Sequence, residues 1–170
     1  MKRAILIMAA VSLLAGLATS YAVHKTMPAE SVVPLPGPYA ETVYRYITIE
    51  DPYKDWQVWP GKGKKIKGRA PLDYITTYVN DNALYSIKVG RKMANGSLIV
   101  TENYTSEGKK LAGLFVMYKI KKYNPAGGDW FWAQYDRQGK KIVSGKAEAC
   151  IECHTKVKDN DYVFTEDFVK

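Results

Sequence analysis

From Asp73 onward, apolar and polar positions alternate with the two-residue period of half-buried β-strands. Tyr74-Ile75-Thr76-Thr77-Tyr78-Val79 is β-branched and aromatic, and Asn80-Asp81-Asn82 ends it. Leu84 to Val89 reads as a short strand or a helix end, and Asn95-Gly96 then turns the chain. Ser97 to Tyr104 is a clear strand, with Leu98 and Val100 facing one way while Ile99 and Thr101 face the other. The longest strand, Leu111 to Lys122, sets Leu114, Val116, Tyr118 and Ile120 against Phe115, Met117, Lys119 and Lys121. Past the loop Asn124-Pro125-Ala126-Gly127-Gly128, Asp129 to Tyr135 is an aromatic strand, and Arg137-Gln138-Gly139 turns into Lys140 to Val143. Upstream, Val43, Tyr44, Ile47 and Trp56 fall at helical spacing and predict a helix over Glu41 to Trp56. Ala147 to His154 predicts a short helix. The pattern places the chain in the α+β class, a mainly antiparallel sheet with flanking helices.

The amino terminus has a different pattern. Lys2 and Arg3 precede an apolar run from Ala4 to Leu17 that only Ser12 and Gly16 interrupt, and Ser20-Tyr21-Ala22 offers small residues where a signal peptidase reads. Residues 1–22 therefore read as a signal peptide cleaved after Ala22, or else as an uncleaved anchor. As a helix, Ala4 to Ala22 would be about 28 Å long, only just enough to span a bilayer. No cysteine follows the run to carry a lipid anchor. Export to the periplasm is the expectation, with membrane association only if the segment stays attached. Residues 23–40 contain Pro28, Pro34, Pro36 and Pro38 and read as an extended linker; residues 41–170 form one domain.

The formal charge of +8 falls to +6 once Lys2 and Arg3 are removed. Much of the excess sits in Lys62, Lys64, Lys65, Lys67 and Arg69, with Lys119, Lys121 and Lys122 as a second group. No nucleic-acid recognition motif accompanies these charges, so that class of partner is set aside. The first group lies in a glycine-rich loop and reads as solvated surface, a contact to an acidic cofactor group, or a docking patch for an acidic redox partner.

The chemistry is concentrated in Cys150-Ile151-Glu152-Cys153-His154, the Cys-X-X-Cys-His arrangement that attaches c-type haem. Two thiols add to the two vinyl groups, and the adjacent histidine supplies the axial imidazole. Other readings of the cysteine pair are a redox dithiol, a small disulfide loop or half a zinc site. A thioredoxin-like pair belongs early in a βαβ unit, and a structural zinc needs four ligands. The only other histidine, His24, lies beside the export segment, so His154 is the one imidazole of the folded body. A sixth ligand would have to be Met93, Met117, a lysine or nothing. Met117 reads as core filler, which favours an open, apolar distal position suited to neutral diatomics such as nitric oxide or carbon monoxide. Glu102 is a candidate proton acceptor near the haem, although a strand glutamate ordinarily faces solvent. Asp159, Asp161, Glu166 and Asp167 lack metal-loop spacing and read as surface. Trp56, Trp59, Trp130 and Trp132 read mainly as core, with stacking on the porphyrin as the alternative.

Separate blocks then point to one family. They are Trp59-Pro60-Gly61-Lys62-Gly63, Tyr78-Val79-Asn80-Asp81, Ile99-Val100-Thr101-Glu102-Asn103-Tyr104, Val116-Met117-Tyr118-Lys119, Tyr123-Asn124-Pro125, Gly128-Asp129-Trp130-Phe131-Trp132, the haem motif and Asp161-Tyr162-Val163-Phe164-Thr165. In this order they resemble the cytochrome P-460 family, including its cytochrome c-prime-beta relatives, from about Trp56 to Phe164. The resemblance implies a five-stranded antiparallel sheet with helices, one haem c near the carboxyl end, a five-coordinate iron on His154, and a homodimer. In the enzyme that names the family, a strand lysine crosslinked to the porphyrin accompanies hydroxylamine oxidation. That position falls here on Thr101, which has no amine, and Leu72 stands where many members carry a histidine. The function expected is a periplasmic mono-haem cytochrome that transfers electrons, binds nitric oxide, or both. The alternatives are an enzyme oxidising hydroxylamine or reducing a peroxide, and a non-catalytic haem sensor.

Overall fold

The alternating segments form one antiparallel sheet in the computed structural model, which describes residues 33–105 and 110–169. The export or anchor segment, His24 and the first part of the proline-rich linker lie outside the described residues. The strands are β1 (Gln57–Val58), β2 (Ile66–Lys67), β3 (Tyr74–Val79), β4 (Leu98–Tyr104), β5 (Leu111–Lys119), β6 (Trp130–Asp136) and β7 (Lys141–Gly145). Their order is β1-β3-β4-β5-β6-β7, and β2 also pairs with β3. The five longer strands match the alternation, and the two dipeptide strands extend the sheet past β3. Strand β5 stops at Lys119 rather than Lys122, because Lys122 takes a left-handed conformation (φ 66°) in the turn to β6.

The two-residue period sorts the side chains as the pattern predicts. Leu98, Val100, Leu114, Val116, Tyr118, Phe131, Ala133 and Tyr135 form one buried face, packed against Val43 and Ile47. Val79, Ile99, Met117, Trp130 and Trp132 form the other, packed against Ala83, Met93, Ala147, Val163 and Phe168. Residues such as Ile47 and Leu98 are completely buried, and each side chain of this kind stabilises the fold by about 1.5–3 kcal/mol. The sheet is therefore a middle layer, with the amino-terminal helix on one side and the carboxyl-terminal segment on the other.

The helix expected over Glu41 to Trp56 is shorter. It comprises α1 (Ala40–Arg45) continued by a π-helical turn, Tyr46–Glu50, and ends at Asp51. Pro52 disfavours helical geometry in the residue before it, and Asp51 is accordingly non-helical (φ −140°, ψ 81°). The ambiguous Leu84 to Val89 segment is the end of α2 (Asp81–Val89). Asn80 caps this helix by accepting a hydrogen bond from the Ala83 N–H at 3.1 Å, and Gly90 closes it in the left-handed conformation (φ 67°). Near the carboxyl end, α3 (Glu148–His154) runs into a 3-10 segment, Thr155–Asn160. No helix among the described residues is long and apolar enough to cross a membrane.

Candidate functional site

Helix α3 brings the motif residues together. Positions separated by three and four residues share a helix face, so Cys150, Cys153 and His154 lie on one side of α3. Both thiols are free and half-buried. Burial pushes the Cys150 thiol up from its usual range, and the adjacent Cys153 adds to the effect. The His154 ring packs between two aromatic side chains, 4.5 Å from Trp132 and 4.9 Å from Phe164 by ring centroids. Its Nδ1 lies 2.6 Å from the carbonyl oxygen of Tyr162. A carbonyl only accepts, so Nδ1 carries the proton and donates it. Burial holds the imidazole pKa below its ordinary value, and the Tyr162 hydrogen bond opposes this only in part. The result is a neutral ring whose Nε2 lone pair is left for another partner, as in metal-ligating histidines.

The carbonyl that orients His154 is itself held by a buried knot. Asp161 is 2 % exposed. Its Oδ1 pairs with Lys119 Nζ at 2.6 Å, and its Oδ2 accepts the Met93 N–H at 2.8 Å. Its backbone oxygen accepts the Trp130 indole N–H at 2.9 Å. Asp161 and Tyr162 both adopt left-handed backbone (φ 53° and 66°), which turns the chain so that the Tyr162 carbonyl meets the imidazole. Asn160 braces the same turn, donating to the Val163 carbonyl and accepting from the Phe168 N–H. The expectation that Asp161 lies on the surface is thus corrected: Lys119 and the Met93 N–H meet the needs of its buried carboxylate, while the Trp130 indole satisfies its backbone carbonyl. Asp159, Glu166 and Asp167 are exposed as expected.

Alongside the Trp132 row of the sheet runs a second row on the same face. Val79, Ile99, Met117 and Trp132 are buried in register; the next row, Thr77, Thr101, Phe115, Gln134 and Val143, is only partly covered. A buried indole N–H, that of Trp132, has no hydrogen-bond partner among the described residues. The site is thus one helix face with two thiols and a neutral imidazole, beside a half-open strip of sheet.

The family model of Cytochrome P460 matches residues 51–165, well over half of the chain. The chain belongs to the cytochrome P460 family. No curated protein gives a match. Membership makes this chain a haem-binding cytochrome, and the residues present fit that group. The donor set is the thiol pair and open imidazole nitrogen that haem c uses, and the partly covered strip supplies Phe115 and Val143 as apolar surface.

In this cytochrome P460 chain the other sequence candidates divide between the faces. Met117 is core filler as expected, buried between Ile99 and Trp132. Met93 is buried as well, its N–H tied to Asp161. Thr101 is half-buried with its hydroxyl 3.2 Å from that of Thr77. Glu102 requires a correction: neither solvent-facing nor on the face of the half-open strip, it shares the opposite face with Leu98 and Val100 and is 1 % exposed. There it accepts hydrogen bonds from the hydroxyls of Tyr53 (2.9 Å) and Tyr104 (2.6 Å) and pairs with Lys54. Trp59, Trp130 and Trp132 are core, whereas Trp56 is half-buried and donates to Asp51. The residues that sequence reasoning missed are those behind the imidazole, Tyr162 through its backbone and Asp161 through its side chain. The signals on offer were Asp161 itself, a residue type tolerant of left-handed turns, and its place in the block Asp161-Tyr162-Val163-Phe164-Thr165.

Proposed function

We propose that this member of the cytochrome P460 family is an exported mono-haem c cytochrome that transfers electrons and binds small neutral diatomics. Cys150 and Cys153 would hold the porphyrin by thioethers, and His154 would supply a nitrogen to its iron. When bound, the haem contributes a one-electron couple and an iron position for a ligand such as nitric oxide. The observation carrying the reading is the single helix face that presents both thiols with a neutral imidazole whose Nδ1 proton is engaged by Tyr162. That hydrogen bond fixes the tautomer and raises the basicity of Nε2, while burial keeps a competing proton away. Phe115 and Val143 offer no stabilisation to an anion, and the other side chains of the strip, Thr77, Thr101 and Gln134, carry no charge, which together favours neutral ligands. Residues 1–22 serve export to the periplasm, and the working form is a homodimer.

The test is the absorption spectrum of the ferrous protein, matured in a host that attaches haem c, with and without carbon monoxide. A five-coordinate spectrum that shifts on carbon monoxide, with colour surviving acid–acetone extraction, is expected. Extractable pigment, or a six-coordinate spectrum indifferent to carbon monoxide, would overturn the reading. The rival activity, hydroxylamine oxidation on a lysine-crosslinked porphyrin, is weakened by Thr101, a hydroxyl engaged with Thr77. A haem-peptide mass exceeding two thioethers would revive it.

A further inference from the structure

The densest run of one-sided charge on the described surface lies ahead of β3. Between Gln57 and Leu72 stand five cations, Lys62, Lys64, Lys65, Lys67 and Arg69, and no carboxylate. They account for five of the eight excess positive charges in the sequence. Lys64, Lys65, Lys67 and Arg69 are exposed, while Lys62 is partly covered and pairs with Glu166.

This segment is tied to the sheet. Strand β2 pairs with β3 through Ile66 opposite Ile75 and Lys67 opposite Tyr74. The Lys65 N–H donates to Thr76 Oγ1 at 2.9 Å, and the Trp59 N–H to the Thr77 carbonyl at 2.8 Å. The ammonium of Lys65 lies 4.9 Å from the Tyr104 ring centroid, an interaction that limits where the side chain wanders. The charges are therefore presented from a fixed frame, which lowers the entropy lost when a partner seats on them.

The same segment reaches the candidate site. The Arg69 guanidinium lies 5.0 Å over the Phe164 ring, and Phe164 lies 4.9 Å from the His154 ring. One aromatic side chain thus separates Arg69, at the end of the basic segment, from the His154 imidazole. The Lys64 and Lys65 ammoniums lie over Tyr78 and Tyr104 on the Glu102 side, so the segment wraps the edge of the sheet.

We propose that the basic segment 62–69 is the docking surface for an acidic electron-transfer protein, seated so that electrons pass by way of Arg69 and Phe164 to the His154 side of the site. The assignment rests on the electron-transfer reading above, and the exchange moves one electron with no proton or bond change. Charge complementarity selects the partner, because a positive surface raises the encounter rate of an acidic protein by about ten- to a thousandfold at low salt.

The experiment uses the ferrous, haem-loaded protein in stopped flow against two one-electron oxidants. One is plastocyanin, used as an acidic protein probe; the other is the cationic tris(phenanthroline)cobalt(III) ion. For the parent, the plastocyanin rate should fall steeply with salt while the cobalt rate rises. Reversing Lys64→Glu, Lys65→Glu and Lys67→Glu together should slow plastocyanin at least about tenfold at low salt and speed the cobalt reagent, with the differences vanishing near 1 M salt. A control with Lys121→Glu, Arg137→Glu and Lys140→Glu, of equal net charge, should move the plastocyanin rate far less. If the reversed protein does not fold, the triple glutamine variant should show the same direction with a smaller change.

Equal effects of the two triple variants, or none, would overturn the docking surface while leaving the electron-transfer reading intact. Failure of the parent to exchange electrons with either oxidant would overturn both. Sedimentation of the parent with vesicles rich in phosphatidylserine, together with a plastocyanin rate insensitive to segment 62–69, would assign the patch to a membrane surface instead.

Discussion

Asp161→Asn separates the charge of the buried knot from its shape. Asparagine tolerates the left-handed backbone of position 161 (φ 53°) and keeps an oxygen able to accept the Met93 N–H. It removes the anion that Lys119 meets at 2.6 Å. The Lys119 side chain is 12 % exposed, so its ammonium regains little water when its partner is lost. Stranding a buried charge costs about 3–5 kcal/mol, and the residual exposure together with the retained amide oxygen lowers the expectation to about 2–4 kcal/mol. In urea the midpoint should fall by about 1–2 M, with an unchanged slope. Adding Lys119→Met to Asp161→Asn should recover more than half of the loss, since the stranded charge is then gone. The loosened turn should also weaken the Nδ1 hydrogen bond to Tyr162, read as a shift of the His154 Nδ1–H resonance and of the haem reduction potential. A midpoint within experimental error of the parent, or no recovery on Lys119→Met, would refute the reasoning.

Replacing Cys150→Ala and Cys153→Ala together should release all pigment into acid–acetone, while either single replacement leaves a haem held by one thioether; extraction followed by mass measurement checks this. Glu102 gives a pH signature. Burial pushes its carboxyl up, but the hydrogen bonds from Lys54, Tyr104 and Tyr53, with the charge of Lys54, outweigh this and hold it below its ordinary 4.5. A carboxyl depressed on folding stabilises the protein above its unfolded value, and that stabilisation drains away as pH falls through the folded value. Glu102→Gln should therefore flatten the acid limb of stability below about pH 4.5 and cost about 2–3 kcal/mol at neutral pH, chiefly from the two tyrosines because Lys54 is half-exposed; urea unfolding across pH measures both, and the haem spectrum should not move. Asn80→Ala removes the cap on Ala83, an acceptor for the Leu98 N–H at 2.9 Å and a donor to the Gly96 carbonyl at 2.9 Å. It should cost about 2–4 kcal/mol, with hydrogen exchange quickened at Ala83 and Leu98.

How far the chain could be read in advance depended on the range of the forces involved. The two faces of β4 and β5 were legible because alternation is local and every strand obeys it. Helix α2 was ambiguous until Asn80 proved to be its cap rather than merely the end of β3. The early end of the first helix was within reach, since Pro52 stands inside the predicted span. Glu102 was misread although its parity matches that of Leu98 and Val100. The pattern gives no hint of Tyr53 and Lys54, the partners 49 and 48 residues away that make its burial tolerable.

Spacing along the chain was enough to put two thiols and an imidazole on one helix face, because a helix carries its own geometry wherever it forms. It was not enough to say which carbonyl orients the ring or which acids leave the surface. Those outcomes turn on donors and counter-charges that approach only when β5, β6 and the carboxyl-terminal turn pack together, as Lys119 does for Asp161 across 42 residues. Burying a charge is favourable only when such partners are already in place, and that is a property of the assembled core rather than of any segment within it.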